Sequence, residues 1–331
     1  MFSLKNPLKS RFFSIYFSAK VELNNYNAIQ TFNLTKKFGN RTAVNSINLA
    51  IQRGEIFALL GPNGAGKTTT IKMLCCLLKP TAGKAVVMGY DIEKEQLSVK
   101  QIINISPQET AVARNLTIME NLLLMGGVYG INKHETKTKA QELIELFGLS
   151  SRTKELAKKL SGGMQRRLNL VMALITNPQV LFLDEPTLGL DPQARKTVWI
   201  QIEKLKGNTT IFLTTHYLEE ADALADHIAI IHQGNIVAQG SPTFLKESFS
   251  GKQTMMIKAS GITDQIINTL KEKYLDVRKS DNEIIIQAKD LDFESIVDLL
   301  RDEGAKIKWL SMKEPSLDDV FLKLTEEEKN H

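Results

Sequence analysis

The sequence has few of the residues that build disulfide scaffolds, and none of its apolar runs is long. Its 331 residues include only two cysteines and two tryptophans. Cys75 and Cys76 are adjacent in an apolar stretch, which excludes a disulfide framework and matches no zinc-site spacing. Apolar runs such as 73–78 fall far short of the roughly 18 residues that span a bilayer. We therefore expect core thiols in a reducing compartment and no transmembrane helix.

An excess of charge of one sign is also lacking over most of the chain. There are 42 Lys and Arg residues against 37 Asp and Glu residues, for a formal net charge of +5. Much of that excess lies in residues 1–28, whose bases are Lys5, Lys9, Arg11 and Lys20. The remainder is too close to neutral for a nucleic-acid surface, which needs a strong basic stripe. We therefore expect no nucleic-acid partner.

Residues 1–28 form a basic N-terminal extension that we expect to be disordered, as chain termini are by default. Its first 20 residues contain no acidic residue and several aromatic residues, a composition that also fits a transit peptide or a surface-lying amphipathic stretch. These alternatives stay open, and no function is assigned to the segment.

The hydrophobic pattern predicts an α/β core. Short apolar runs at 56–60, 180–183 and 211–213 are typical of strands buried on both faces, which indicates a largely parallel sheet with helices on its faces. Residues 29–50 alternate and carry turn signals, so we expect a small flanking antiparallel sheet. Residues 107–178 have mostly helical patterns and predict an inserted helical lobe.

Beyond residue 242 the pattern changes to two βαβ-like halves, which predict a small α+β domain of ferredoxin type. We place the domain boundary after residue 244, giving domains of 29–244 and 245–331. The expected strands are 254–259, 283–288 and 306–310, and the expected helices are 265–273, 293–300 and 316–324.

The segment from Gly61 to Thr68 fits the pattern G-x-x-x-x-G-K-S/T, and it follows a buried strand and opens a helix. Its glycines allow backbone N–H groups and the positive end of the helix to face a phosphate chain. Lys67 would reach the terminal phosphates, and the hydroxyl of Thr68 would bind Mg²⁺. The alternative is a glycine-rich turn without a ligand.

A pair of carboxylates ends the second core strand. Asp184 and Glu185 follow 180–183, at the edge where a parallel sheet presents its ligand site. Asp184 would hold Mg²⁺, and Glu185 would orient and deprotonate an attacking water. Simple capping of the next turn is the alternative. His216 ends the following strand, where an imidazole would reach a γ-phosphate, although a single histidine is usually inert.

A second phosphate-binding pattern follows about a hundred residues after the first. Ser161, Gly162, Gly163 and Met164 combine a hydroxyl, bare glycine N–H groups and a helix N-terminus. The alternative is an ordinary N-cap at Ser161. If both patterns bind phosphate on different lobes, two chains would face head to tail, each covering the nucleotide held by the other.

Over about residues 29–244, these motifs resemble the ATP-binding subunit of an ABC transporter. The resemblance implies that Phe38 stacks on adenine, although Tyr is more common there, and that Gln108 reaches Mg²⁺ and the attacking water. His216 matches the switch histidine. Asp191 matches the loop that crosses the dimer interface, although the family more often has Ser or Thr where Leu188 stands.

The resemblance therefore implies a complete set of site residues. The residues that it implies in catalysis are Glu185, His216, Gln108 and Lys67. The residues that it implies in ATP binding are Phe38, Gly61, Pro62, Asn63, Gly64, Ala65, Gly66, Lys67, Thr68 and Thr69. It implies Mg²⁺ binding by Thr68, Gln108 and Asp184. The signature acting on the partner's nucleotide is Ser161, Gly162, Gly163 and Met164, and Asp191 belongs to the dimer loop.

The C-terminal residues 315–325 are similar to the extension of cassettes that serve drug, sodium, antibiotic or polymer exporters with separate membrane subunits. A generic appendage whose apolar residues pack only on their own sheet is the alternative.

We therefore expect a subunit that binds and hydrolyses ATP with Mg²⁺ and powers export through a separate permease. It would act at the cytoplasmic face of the cell membrane, paired with a second copy of itself or a related cassette. The alternative is a soluble ABC ATPase acting on DNA, ribosomes or cluster assembly. The long coiled coils or doubled cassettes of such proteins are absent from this sequence. A non-enzymatic scaffold is a third possibility, and the intact Glu185 argues against it.

Overall fold

The computed structural model describes residues 27–250, 253–288, 290–313 and 316–327. Residues 1–26 of the predicted N-terminal extension lie outside the described residues.

The strands position the site. They are β1 Asn27–Phe38, β2 Arg41–Ile47, β3 Ala50–Gln52, β4 Ile56–Leu60, β5 Ala82–Val87, β6 Tyr90–Asp91, β7 Ile103–Ser106, β8 Val180–Asp184, β9 Thr210–Thr215, β10 His227–His232, β11 Asn235–Gly240, β12 Gln253–Ser260, β13 Asp276–Ser280, β14 Glu283–Ala288 and β15 Lys306–Lys313.

The helices connect these strands. They are α1 Lys67–Leu74, α2 Gln96–Ile102, α3 Ile118–Val128, α4 Lys133–Leu146, α5 Gly162–Leu174, α6 Pro192–Glu203, α7 Leu218–Leu224, α8 Pro242–Leu245, α9 Asp264–Lys273, α10 Phe293–Asp302 and α11 Leu317–Glu327. Short 3₁₀ turns lie at Ser150–Arg152 and Ala157–Lys159, and a π-helical turn at Lys246–Ser250.

A six-stranded sheet has the order β11-β10-β4-β9-β8-β7. β10 pairs in parallel with β4, and β7 in parallel with β8, whereas the edge strand β11 is antiparallel to β10. Every residue of β4 and β8 is buried, as their continuous apolar sequences require of strands covered on both faces. The largely parallel core sheet predicted from the sequence is confirmed.

The chain divides into two compact units. Among the described residues, the first comprises 27–55 and Thr68–Leu213. It contains the antiparallel sheet β2-β1-β5-β6, in which β3 also pairs with β1, and the helical segment α3 to α5. Helix α3 starts with a capping box, because Thr117 accepts from the N–H of Glu120 while the Glu120 side chain accepts from the N–H of Thr117. The flanking sheet and the helical lobe are therefore present as predicted.

The second unit comprises Ile56–Lys67 and Thr214–His331. Its last part has the order β12-α9-β13-β14-α10-β15, with antiparallel strands arranged β13-β14-β12-β15. This is the ferredoxin-like arrangement that the sequence predicted. Met255, Ile257, Ile284 and Ile286 form the buried face of the sheet. Helix α11 packs on α7 and on the π-helical turn, with Val320 fully buried.

Some elements differ from the prediction. Although Ile71, Leu74, Cys75 and Leu78 fall at helical spacing in the sequence, helix α1 ends at Leu74, because Cys76 adopts a left-handed conformation with φ of 56°. Strand β13 was not predicted, since Val277 is its one apolar residue and its pairing with β14 holds it in the sheet. Strand β15 runs to Lys313 rather than to residue 310.

Candidate functional site

The glycine-rich loop leaves β4 and wraps around a lysine ammonium. Nζ of Lys67 donates to the carbonyl oxygens of Gly61 at 2.7 Å and Pro62 at 3.2 Å, and Lys67 is buried. Only glycine fits at Gly61, because a Cβ would lie 2.2 Å from the carbonyl oxygen of Ile231. Gly66 has φ of 112°, which also favours glycine. The loop thus holds a positive charge at the start of α1, as a phosphate cradle requires.

Two side chains with oxygen donors lie together in the first unit. The hydroxyl of Thr68 donates to Oδ1 of Asp184 at 3.2 Å, and Asp184, the last residue of β8, is buried. Hydroxyl and carboxylate oxygens suit Mg²⁺, which usually takes one or two protein oxygens and completes its shell with water and phosphate. Within the described residues there is no cluster of three or more His, Cys, Asp or Glu side chains that holds a metal by itself. The donor set therefore fits Mg²⁺ bound together with a nucleotide.

Glu185 lies directly after β8 in a strained backbone conformation. Its φ is 50°, in the left-handed region, and only 5% of its surface is exposed. An L-residue pays about 1 to 2 kcal/mol for this conformation. Strain of this kind persists where neighbouring structure enforces it, often at active sites.

Arg166 of helix α5 supplies part of that enforcement. Its Nη2 donates to the carbonyl oxygens of Asp184 and Glu185, each at 2.9 Å, and its Nε donates to that of Pro186 at 2.7 Å. Its Nη1 donates to the carbonyl oxygens of Pro107 at 2.7 Å and Gln108 at 3.1 Å. Arg166 as a whole is 3% exposed. One buried side chain therefore joins the Gln108 segment to the end of β8.

Asn169, one turn further along α5, holds the same segment. Its Nδ2 donates to Oγ of Ser106 at 2.8 Å, and its Oδ1 accepts from the N–H of Ala111 at 3.2 Å. We did not predict Arg166 or Asn169. Both are polar residues, three positions apart, in a helical pattern whose other members, such as Leu170 and Ala173, are apolar and buried. That spacing is the feature of the sequence that could have pointed to them.

The signature residues lie at the exposed start of α5. Oγ of Ser161 accepts from the N–H of Met164 at 3.3 Å, which makes Ser161 the N-cap. Ser161 and Gly162 are exposed, and a Cβ at Gly162 would meet open space. At Gly163 a Cβ would lie 3.3 Å from that of Ala194, so the backbone approaches α6 closely there. A hydroxyl and a helix N-terminus are thus presented to solvent, as a contact with another chain requires.

The remaining predicted residues lie in different settings. Phe38 is half-exposed at the end of β1, with Nζ of Lys36 5.2 Å from its ring centroid. Gln108 is exposed, and its backbone carbonyl is the part that Arg166 holds. Asp191 is exposed and caps α6 by accepting from the N–H of Ala194 at 2.9 Å.

His216 follows β9 in the second unit, with its ring centroid 4.1 Å from that of Tyr217. In the first unit the structure therefore brings Thr68 to Asp184, and the Gln108 backbone to that of Glu185 through Arg166. Phe38, Ser161 and Asp191 lie at the surface instead.

Comparison with known proteins identifies the family. A model described as ABC transporter matches residues 44–188, and one described as the C-terminal domain of DrrA1-3-like ATP-binding proteins matches residues 240–325. The chain is 38% identical over 304 residues to the linearmycin resistance ATP-binding protein LnrL of Bacillus subtilis (strain 168), which covers 90% of this chain and 98% of LnrL. The chain belongs to the ATP-binding subunits of ABC transporters.

A second similar ABC subunit is the daunorubicin/doxorubicin resistance ATP-binding protein DrrA of Streptomyces peucetius. It is 36% identical over 308 residues, covering 90% of this chain and 92% of DrrA. The resemblance inferred from the motifs is confirmed. The match to resistance proteins over 90% of this chain supports the transporter interpretation over a soluble ABC ATPase.

Solved ABC cassettes share the fold. The structure of an ATP-binding subunit of an ABC transporter has a TM-score of 0.60 and 28% identity, covering 66% of this chain and 92% of that chain. The cassette MJ0796, in a dimeric post-hydrolysis state bound to ADP and Pi, has a TM-score of 0.59 and 26% identity, covering 64% of this chain and 98% of that chain.

As an ABC ATP-binding subunit, the protein binds nucleotide, hydrolyses ATP and powers transport. In the part of the chain that the structure describes, no helix combines the length and apolar character needed to cross a membrane. Membership of the ATP-binding subunits of ABC transporters implies a membrane permease as the partner, as expected from the sequence.

Proposed function

We propose that this protein is the MgATP-hydrolysing subunit of a drug exporter and works in pairs on a separate permease at the cytoplasmic face of the membrane. The observation that carries the proposal is the similarity to LnrL and DrrA, two drug-resistance ATP-binding proteins, over nearly their whole lengths. The match at 240–325 is to the C-terminal domain of DrrA1-3-like ATP-binding proteins. It supports the exporter class because the similarity to these proteins extends beyond the ATP-binding core. We propose the domain division 29–244 and 245–331 accordingly.

In this proposal the glycine-rich loop holds the phosphates of ATP. Backbone N–H groups between Gly61 and Thr69 donate to phosphate oxygens at the start of α1. Lys67 exchanges its present acceptors, the carbonyls of Gly61 and Pro62, for phosphate oxygens. Thr68, Asp184 and Gln108 would hold Mg²⁺, which would supply positive charge to offset that of the phosphates.

Hydrolysis is assigned to the end of β8 and the strand beside it. Glu185 accepts a proton from water while the water oxygen forms a bond to the γ-phosphorus. The bond from the γ-phosphorus to the bridging oxygen breaks, and the products are ADP and phosphate. His216 would contact the γ-phosphate, and Gln108 would orient the water, as the family resemblance implies.

The second chain completes the site. Ser161 and Gly163 are proposed to donate to the γ-phosphate held by the partner copy, and Asp191 to lie in the contact between copies. Ser161 and Asp191 are exposed, which suits an interface formed only with nucleotide. Phe38, also exposed, is proposed to receive adenine on its ring. The dimeric state of MJ0796 with ADP and Pi supports the pairing.

The test is affinity purification of the tagged full chain from detergent-solubilised membranes, using E185Q with MgATP. This variant should slow hydrolysis by about 10² to 10⁴ and so hold the ATP-bound assembly together. S161R is the matched control, because it should bind nucleotide but not pair. Recovery of an integral membrane protein with E185Q supports the exporter. Recovery of ribosomes or DNA, or unchanged hydrolysis by E185Q, would overturn it.

A further inference from the structure

Arg166 donates hydrogen bonds to backbone carbonyls around the site, although the sequence predicted no role for it. A guanidinium offers five N–H donors, and five backbone carbonyl oxygens accept from it, at 2.7 to 3.1 Å. Because Arg166 is 3% exposed, losing these acceptors would leave its charge buried without compensation. The side chain therefore fixes the geometry of the backbone that it bonds.

The five carbonyls belong to two segments that the proposed mechanism must align. Pro107 and Gln108 carry the side chain proposed to orient water, while Asp184, Glu185 and Pro186 carry the proposed metal ligand and base. The bonds connect residues 18 to 59 positions apart in the sequence. Arg166 is thus a rigid bridge between the base and the group that orients the water.

Arg166 lies on α5, the helix whose N-terminus carries the signature residues. It lies five residues after Ser161, which places it roughly 7.5 Å along the helix from the exposed N-cap. Ser161 faces the partner's nucleotide in the proposed function, whereas the carbonyls that Arg166 holds belong to the site of its own chain. Proximity to the signature would suggest service to the partner, and the hydrogen bonds indicate the opposite.

We propose that Arg166 is a positioning residue for the hydrolytic site of its own chain: it holds the left-handed backbone of Glu185 and the Gln108 segment in register. This inference rests on the proposed roles of Glu185 and Gln108. It separates two functions on one helix, with the N-terminus of α5 serving the partner's nucleotide and its second turn serving the nucleotide of the same chain.

Lysine cannot replace arginine in this role. Its ammonium is a single point with three donors, so it cannot span carbonyls on both segments, although it keeps the charge. We expect R166K to lower kcat roughly 10- to 100-fold, since a displacement of about 1 Å at a reacting group costs that order of rate. ATP affinity should change less than about threefold, because the glycine-rich loop is untouched.

The matched control is R167K, the same substitution at the next position. Arg167 donates to the carbonyl oxygens of Phe147 at 2.9 Å and Gly148 at 3.4 Å, away from the predicted site residues. Its kcat should stay within about twofold of the parent. If R166K changes kcat no more than R167K does, or lowers kcat and ATP affinity in equal proportion, the positioning role is overturned.

Mixed pairs decide which site Arg166 serves. Two differently tagged full-length copies are expressed with the permease, and pairs carrying both tags are purified for single-turnover hydrolysis. In one mixed pair, one copy carries S161R and the other carries R166K; in a second pair, one copy carries S161R and the other carries E185Q. The two pairs should hydrolyse ATP alike, because in each pair both changes affect the same site and leave the other site intact. When S161R and R166K are on the same copy and that copy is paired with an unchanged one, both sites should be damaged.

The outcomes separate the two ideas. If S161R with R166K is inactive while S161R with E185Q retains one active site, Arg166 serves the partner's site and our inference is wrong. If S161R with E185Q is itself inactive, the two-chain site of the proposed function fails. Activity in both pairs, with loss when S161R and R166K share one copy, supports both.

Discussion

Replacing Glu185 by glycine is expected to give a more stable protein than replacing it by alanine, although both variants lose hydrolysis. Both changes remove the same carboxylate and its contacts, so their difference isolates the backbone. Glu185 has φ of 50°, where alanine keeps the steric conflict of an L-residue and glycine has none.

The magnitude follows from two opposing terms. Relief of the left-handed conformation favours glycine by about 1 to 2 kcal/mol. The greater freedom of glycine in the unfolded chain opposes this by about 0.5 to 1 kcal/mol. At the midpoints of these two ranges, the free energy of unfolding of the glycine variant should exceed that of the alanine variant by about 0.8 kcal/mol.

Urea denaturation of both full-length variants without nucleotide measures this difference, with ATP turnover recorded in parallel. Lys100, exposed in α2, provides a control of opposite sign, because glycine in a helix is about 1 kcal/mol worse than alanine. If the glycine and alanine variants at Glu185 are equally stable, or if alanine is the more stable, the backbone there is not strained and the reasoning fails.

Two further predictions concern local structure. T117A should cost about 1 kcal/mol, measured by urea denaturation, whereas T138A inside α4 should be nearly neutral; equal costs would contradict the capping box. Hydrogen bonds from the backbone and hydroxyl of Thr117 lower the pKa of Glu120. The bonded carboxylate therefore stabilises the fold above its ordinary pKa, and this stabilisation is lost as pH falls through the lowered pKa. The cost of T117A should accordingly shrink in acid. G61A should abolish nucleotide binding in a fluorescent-ATP titration, because the added Cβ has no room. The control is G127A in α3, whose Cβ would meet no atom within 4 Å and which should bind nucleotide normally. Normal binding by G61A would contradict the close approach at Gly61.

Local patterns in the sequence were enough to predict the nucleotide loop. A strand buried on both faces, a glycine pattern and a following helix are all encoded within about twenty residues, and the structure has them as β4, Gly61–Thr68 and α1. The ferredoxin-like end was also predictable, because its apolar residues alternate between two faces. The end of α1 was not, since nothing in the helical spacing reveals the left-handed conformation of Cys76.

The bridge made by Arg166 could not be predicted for a different reason. Its acceptors are backbone carbonyls, which every residue carries, so no residue type in the partner segments marks them. The strain at Glu185 is equally hidden, because glutamate is not a residue that favours φ of 50°. Sequence patterns show which side chains bear the chemistry, whereas the backbone that aligns them emerges only from tertiary packing.

The central claim is that one chain holds only part of a hydrolytic site. Its most direct test is ATP turnover per chain, measured with excess MgATP across a hundredfold range of protein concentration while sedimentation records the fraction of paired chains. Turnover per chain should rise with the paired fraction and approach zero where only single chains sediment. Constant turnover per chain at dilutions where only single chains are present would contradict the account.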